Sequence, residues 1–161
     1  MRYEGPVRII FDDREEEDLM KICKQLHEEN GMYNISDNKV RYMLHRAFRK
    51  EGGILGVIGE PKKIEAMIYM LVVTPWYSED SHLEELFAFV RPEYRKTKNA
   101  LELMNFAKWC AEESHLPLLI GVISNIRTKG KIRLYQRQFS DPVGTFFMYK
   151  SSKPNGQHVN V

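Results

Sequence analysis

Short apolar runs and helical apolar stripes succeed one another from Val7 to Tyr149. Val7 to Phe11 is apolar, closes on Asp12-Asp13 and reads as a strand. Arg14 to Glu29 reads as a helix. Its first turn is acidic (Glu15, Glu16, Glu17, Asp18), which complements the helix dipole, and Leu19, Ile22, Cys23 and Leu26 share one face. Gly31 ends it. Ser36 or Asp37 caps a second helix reaching about Lys50, with Val40, Met43, Leu44, Ala47 and Phe48 as its buried stripe. Ile54 to Gly59 and Ile64 to Thr74 flank the turn Pro61-Lys62-Lys63 and predict an antiparallel hairpin.

The loop Pro75 to Asp80 leads to a fourth strand from about His82 to Arg91. A turn rich in Arg and Lys follows. It opens a strongly patterned helix, in which Ala100, Leu103, Met104, Ala107, Cys110 and Ala111 recur at helical spacing. After Pro117, Leu118 to Ile123 has no polar alternation, which predicts a strand buried on both faces of a parallel pair. Thr128 caps a short helix through Phe139, and Asp141-Pro142 stops it. Val143 to Tyr149 predicts a last, aromatic-rich strand. The predicted order is β-α-α-β-β-β-α-β-α-β, with a right-handed parallel crossover between His82 and Ile123.

Composition narrows the class. The chain has 161 residues, 43% hydrophobic and 29% charged, as a folded soluble domain would. Residues 1–150 read as one domain and 151–161 as a polar tail. A net charge of +2 is too small to argue for nucleic-acid or membrane partners. Cys23 and Cys110 make neither a disulfide framework nor a zinc site. The five histidines lack metal-ligand spacing, so no metal is expected. The N-terminus has no apolar signal-peptide core, the longest apolar runs (Ala66 to Val73, Leu116 to Ile123) fall far short of a membrane span, and two distant cysteines suit a reducing compartment, which makes the cytoplasm the default location.

The turn before Ala100 carries candidate chemistry. Val90-Arg91-Pro92-Glu93-Tyr94-Arg95-Lys96-Thr97-Lys98-Asn99-Ala100 joins a strand end to a helix N-terminus. The first helical N–H groups lack intrahelical acceptors and sit at the positive end of the dipole, so phosphate is favoured there. An ordinary strand-to-helix turn would carry the same pattern.

That segment, set in this element order, resembles the GNAT family of N-acetyltransferases over about Val7 to Lys150. The family pattern is Gln or Arg, two residues, Gly, one residue, then Gly or Ala. Arg95 and Ala100 are in register with it, and Lys98 stands at the first glycine. Leu134-Tyr135 followed by Phe139 resembles the family's later helix. Lys108-Trp109-Cys110-Ala111 and Leu116 to Val122 are similar to divergent members carried by bacteriophages.

The resemblance implies an α/β (α+β) GNAT fold: a mixed, mostly antiparallel sheet, a central parallel pair splayed for acetyl-CoA, and helices on both faces. It implies contacts to acetyl-CoA from Phe89, Val90, Arg95, Lys96, Thr97, Lys98, Asn99, Ala100, Asn125 and Thr128. Pantetheine would pair with backbone near Phe89 and Val90, and pyrophosphate with the N–H groups from Arg95 to Ala100.

The implied reaction is acetyl transfer to a primary amine by direct attack in a ternary complex. Tyr135 is the candidate acid for the leaving thiolate. Glu84, eleven residues before Arg95, is the candidate base, and Glu85 points to the opposite face of the strand. Trp76, Tyr77, Glu79 and Glu85 are candidate acceptor contacts. Arg127, Lys129, Lys131 and Arg133 read as a solvated helix face, with Arg127 or Lys131 in reach of a CoA phosphate. The acceptor is open among small amines, antibiotics, peptides and protein lysines, and a homodimer is compatible with the sequence. A GNAT-shaped binding or structural protein without turnover, from a phage virion or acting on a host, is the alternative, and Lys98 favours it.

Overall fold

The chain is described over residues 3–124 and 128–148 of a computed structural model. It runs β1 (Arg8–Ile9), α1 (Glu16–Asn30), α2 (Asp37–Phe48), β2 (Gly53–Ile58), β3 (Ala66–Val73) and β4 (His82–Val90). A 3-10 turn at Pro92–Tyr94, α3 (Asn99–Ser114), β5 (Leu118–Leu119) and α4 (Thr128–Gln138) follow. The strands lie in the order β1-β2-β3-β4-β5. Every neighbouring pair is antiparallel except β4 with β5, which is parallel.

Helices cover both faces of this sheet. Leu19, Ile22 and Cys23 of α1 and Leu44 and Ala47 of α2 pack with Leu55, Val57, Met67 and Tyr69. On the other face Leu103, Phe106, Ala107 and Cys110 of α3 pack with Ile58, Ala66, Ile68, Met70 and Leu83. The helical stripes predicted from periodicity supply these contacts. The Tyr69 hydroxyl donates to the Met43 carbonyl at 2.7 Å and fixes α2 on the sheet. Gly53 permits the close approach: a Cβ there would stand 2.5 Å from the Tyr69 hydroxyl and 3.0 Å from the Ala47 nitrogen.

One irregularity governs the site. Tyr69 faces Phe87 and Met70 faces Glu85, so Leu86 has no partner on β3. This is a β-bulge, one extra residue on β4 that re-phases the strand. Leu83 and Glu85 before it, and Ala88 and Val90 after it, are all on the α3 face. Phe87 and Phe89 turn to the α1–α2 face.

Three predicted strands differ from the structure. The first is two residues long rather than five. The apolar run Leu118 to Ile123 pairs only at Leu118 and Leu119, and Leu119 is 42% exposed. It is an outer strand with no neighbour on its second edge among the described residues, so its apolarity records partial burial and not a ladder on both sides. Val143 to Met148 forms no strand. Val143, Phe146 and Phe147 are 90%, 86% and 93% exposed, because strand propensity supplies one side of a ladder and the other is missing among the described residues. Tyr149 and the tail lie outside the described residues. Among the described residues no helix is long and apolar enough to cross a membrane.

Candidate active site

β5 meets β4 only at its beginning, where Leu83 lies opposite Leu118 and Glu84 opposite Leu119. Beyond that point the edge of β4 from Glu85 to Val90 has no strand partner on this side among the described residues. The two strands have splayed apart. A cleft of about 210 Å³ opens beside the free edge. Its walls are Ala88, Phe89 and Val90 of β4, Ala100, Leu103 and Met104 of α3, and Gly130, Lys131, Leu134 and Tyr135 of α4. Glu29, Asn30, Tyr94, Arg95 and Thr97 complete it.

The turn at the mouth is ordered by its own hydrogen bonds. The Arg95 N–H donates to Pro92 at 3.3 Å and the Thr97 N–H to Tyr94 at 3.1 Å. The Thr97 hydroxyl donates to the Tyr94 carbonyl and accepts from the Asn99 N–H at 3.2 Å. Among the described residues the N–H groups of Lys98 and Ala100 have no acceptor. They are the free donors that a helix start leaves for an anion. Lys98 precedes α3 with φ −82°, a conformation open to any residue, so no glycine is required for the backbone path. The Asn99 side chain turns inward and donates to Glu65 at 2.8 Å.

Arg95 is engaged within the protein. Its Nε donates to the Val90 carbonyl at 3.0 Å, and its Nη2 contacts both carboxylate oxygens of Glu29 at 2.7 and 2.5 Å. Its guanidinium also lies 5.6 Å from the centre of the Phe89 ring. Arg95 therefore ties the end of β4 to the end of α1.

A second pair closes the inner wall. The Tyr135 hydroxyl donates to the Glu85 carboxylate, with oxygen separations of 3.1 and 3.0 Å. Burial pushes the Glu85 carboxyl up to about 7, against the opposing pull of the Tyr135 hydroxyl, Lys131 and the Gly121 N–H. Burial and the Glu85 carboxylate hold the Tyr135 hydroxyl well above its usual value. Lys131 sits one helical turn before Tyr135. Burial lowers its amine, and Arg95 adds to that, while Glu85 and Glu29 oppose it.

Neither a protein-family model nor a curated protein matches the sequence. Solved structures do match. A possible acetyltransferase from Clostridium difficile 630 is 16% identical, with TM-score 0.67 over 91% of this chain and 97% of that one. A ribosomal-protein-alanine N-acetyltransferase from Brucella melitensis biovar Abortus 2308 is 9% identical, with TM-score 0.67 over 90% and 99%. AAC(6')-Iy, solved with a bisubstrate analogue of CoA and acetylneamine, is 10% identical, with TM-score 0.70 over 94% and 100%. The chain has the GNAT acetyltransferase fold.

Within the GNAT fold, Phe89, Val90, Arg95, Thr97, Ala100 and Tyr135 line one cleft. Lys96 and Lys98 are exposed at its mouth. Thr128 opens α4, and its hydroxyl donates to the Ser124 carbonyl at 2.6 Å. Asn125 lies outside the described residues. Glu84 does not join Tyr135. It alternates to the other face of β4, with one carboxylate oxygen 3.7 Å from His82 Nε2. Trp76 (95% exposed) and Tyr77 (74% exposed) meet edge to face in the β3–β4 loop, and Glu79 follows them. They flank the start of β4 and do not line the cleft.

Glu85 and Lys131 carry more of the site than the sequence pattern assigns to them. Lys131 is not on a solvated face, because it turns into the cleft with Tyr135. The signal available for it is its spacing, four residues before Tyr135 on one helix. Glu29 gives no local signal, since it is 66 residues from Arg95.

Proposed function

We propose that this protein is an acetyl-CoA-dependent N-acetyltransferase acting on a primary amine. The observation that carries the reading is the Tyr135–Glu85 hydrogen bond at the wall of a cleft between splayed parallel strands.

The residues present suit the ligand. The free N–H groups of Lys98 and Ala100 and the ammonium of Lys98 would hold the pyrophosphate, with Lys96, Thr97 and Asn99 shaping the same turn. The unpaired edge of β4 at Phe89 and Val90 would take the pantetheine amides, with Thr128 at the start of α4. Acetyl-CoA supplies an activated acyl group when bound. Tyr135 gives its proton to the leaving sulfur, and Glu85 restores it. Glu85, ionised above about pH 7, also receives the proton that the attacking amine must lose. This assigns the base to Glu85 in place of Glu84. Trp76, Tyr77 and Glu79 form an exposed aromatic and acidic lip suited to a cationic acceptor.

A thermal-shift titration tests the reading. Acetyl-CoA or CoA at about a hundred times its dissociation constant should stabilise the fold by roughly 2.7 kcal/mol. No shift at millimolar ligand rejects it. A second reading, a GNAT-shaped binding protein without turnover, draws on Lys98 at the motif glycine and on Arg95 being held by Glu29. Binding of CoA with no acetyl transfer to any amine would favour it.

A further inference from the structure

Lys131 is an amine on the wall of the cleft that also holds Tyr135. It lines the cleft in company with Tyr135, and the two residues are one turn apart on the same face of α4. Its charge is felt by Glu85, which bonds the Tyr135 hydroxyl, and by the Arg95–Glu29 pair at the mouth. Among the described residues no hydrogen bond or ion pair holds the amine. Lys108, by contrast, is fixed to Gln138 at 2.9 Å. Lys129, two residues earlier on α4, is exposed. A cleft-facing cation with no carboxylate bonded to it loses its proton more readily than a solvated lysine, and burial acts on Lys131 in that direction.

We propose that Lys131 is itself an acyl acceptor, taking the acetyl group from acetyl-CoA held in this cleft to become Nε-acetyllysine. The inference rests on the reading above that the cleft binds acetyl-CoA. Neutral Lys131 Nζ forms a bond to the acyl carbon, and the carbon–sulfur bond breaks with its electron pair on sulfur. Tyr135 protonates that sulfur. Glu85 takes the proton released by Nζ and passes it to Tyr135, so the products are the amide and the free thiol. No further reactant is needed. Acetylation removes the Lys131 cation from this wall and fills the cleft with an amide. The modified chain is therefore expected to bind CoA less well than the unmodified one.

Two labelling measurements on the full chain test this. In the first, acetic anhydride at low dose labels lysines with and without CoA, followed by peptide mapping. CoA should protect Lys131 and leave Lys129 unchanged. In the second, acetyl-CoA alone is added and the same two sites are followed by mass. Lys131 should gain one acetyl group about tenfold faster than Lys129, because it is held beside the donor. Excess CoA should suppress the label at Lys131 alone, Tyr135→Phe should slow it, and Lys131→Arg should abolish it. If CoA stabilises the protein but Lys131 acquires label no faster than Lys129, the proposal is overturned and the enzyme reading stands. If CoA neither stabilises the fold nor protects Lys131, both fall.

Discussion

The Tyr135 hydroxyl stands 3.1 and 3.0 Å from the two carboxylate oxygens of Glu85. One O–H proton thus faces both oxygens, and burial raises both groups. Each is kept protonated to a higher pH than in water, which suits a proton that is to be delivered and restored.

Replacing the hydroxyl isolates its role. Tyr135→Phe keeps the ring, which meets Phe139 edge to face at 6.0 Å, and so keeps the packing. Turnover should drop about a hundredfold, as loss of a general acid does. CoA affinity should be unchanged. Steady-state kinetics beside a CoA titration decides it, and equal rates in variant and wild type would remove Tyr135 from the chemistry.

Glu85 makes both rate and stability depend on pH. Its folded value is raised from 4.5 to about 7, so between those values the native state holds a proton that the unfolded chain has lost. The contribution of Glu85 to stability is therefore fully present below about pH 4.5 and declines as pH rises through about 7. Each pH step of one across that interval is worth roughly 1.4 kcal/mol, so the loss is a few kcal/mol at most. Glu85→Gln should flatten this decline in denaturant melts at several pH values. It should also abolish the rise of turnover through neutral pH. Glu84→Gln should leave that rise intact, and a flattened profile in Glu84→Gln would return the base to Glu84.

The Arg95–Glu29 pair tests whether the mouth of the cleft is held from α1. Their side chains are 21% and 17% exposed, so the pair is only partly solvated. Arg95→Ala leaves Glu29 beside the cleft without its partner, and should cost on the order of 2 kcal/mol, below the roughly 3–5 of a fully buried pair. Arg95→Ala with Glu29→Gln should recover part of it. Urea melts of the singles and the double provide the cycle, and strict additivity would show that the two side chains do not act together.

Lys98 offers a choice between backbone and charge. With φ −82° it gains no freedom from glycine. Lys98→Gly should therefore weaken CoA binding about threefold by loss of a surface cation, with the loss vanishing at high salt. Tighter binding in Lys98→Gly would mean that the side chain obstructs the turn.

Much of this was legible in the chain. Helical stripes located α1, α2 and α3, because one buried face repeats every turn regardless of what it packs on. The hairpin β2–β3 was legible from two apolar runs and a Pro-bounded turn. Tyr135 and the Arg95 turn were legible through the motif. Pairing was not: Val143 to Met148 has the composition of a strand and lies bare, and Leu118 to Ile123 pairs at two residues. Alternation showed that Glu84 and Glu85 oppose each other but not which one faces the cleft, since a strand's phase is set by its neighbours. Arg95 with Glu29 is a contact across 66 positions and leaves no periodic trace.

The unpaired Leu86 lets β4 be read in two frames. Ahead of it Leu83 and Glu85 serve the α3 face, and behind it Ala88 and Val90 do so, although no common step of two connects them. The proton-handling carboxylate and the edge offered to the ligand can be on one side only because a single residue is counted by one strand and skipped by its neighbour. Deleting Leu86 would make Glu85 and Phe87 adjacent, as their partners Met70 and Tyr69 already are, so Leu83, Glu85, Ala88 and Val90 would keep their face at a plain step of two. Loss or gain of one residue elsewhere in β4 would be a frameshift in space, in which the residues on one side of the change exchange core for cleft with the composition of the strand almost unchanged. Point substitutions along β4 should thus be tolerated far better than a change in its length away from the bulge.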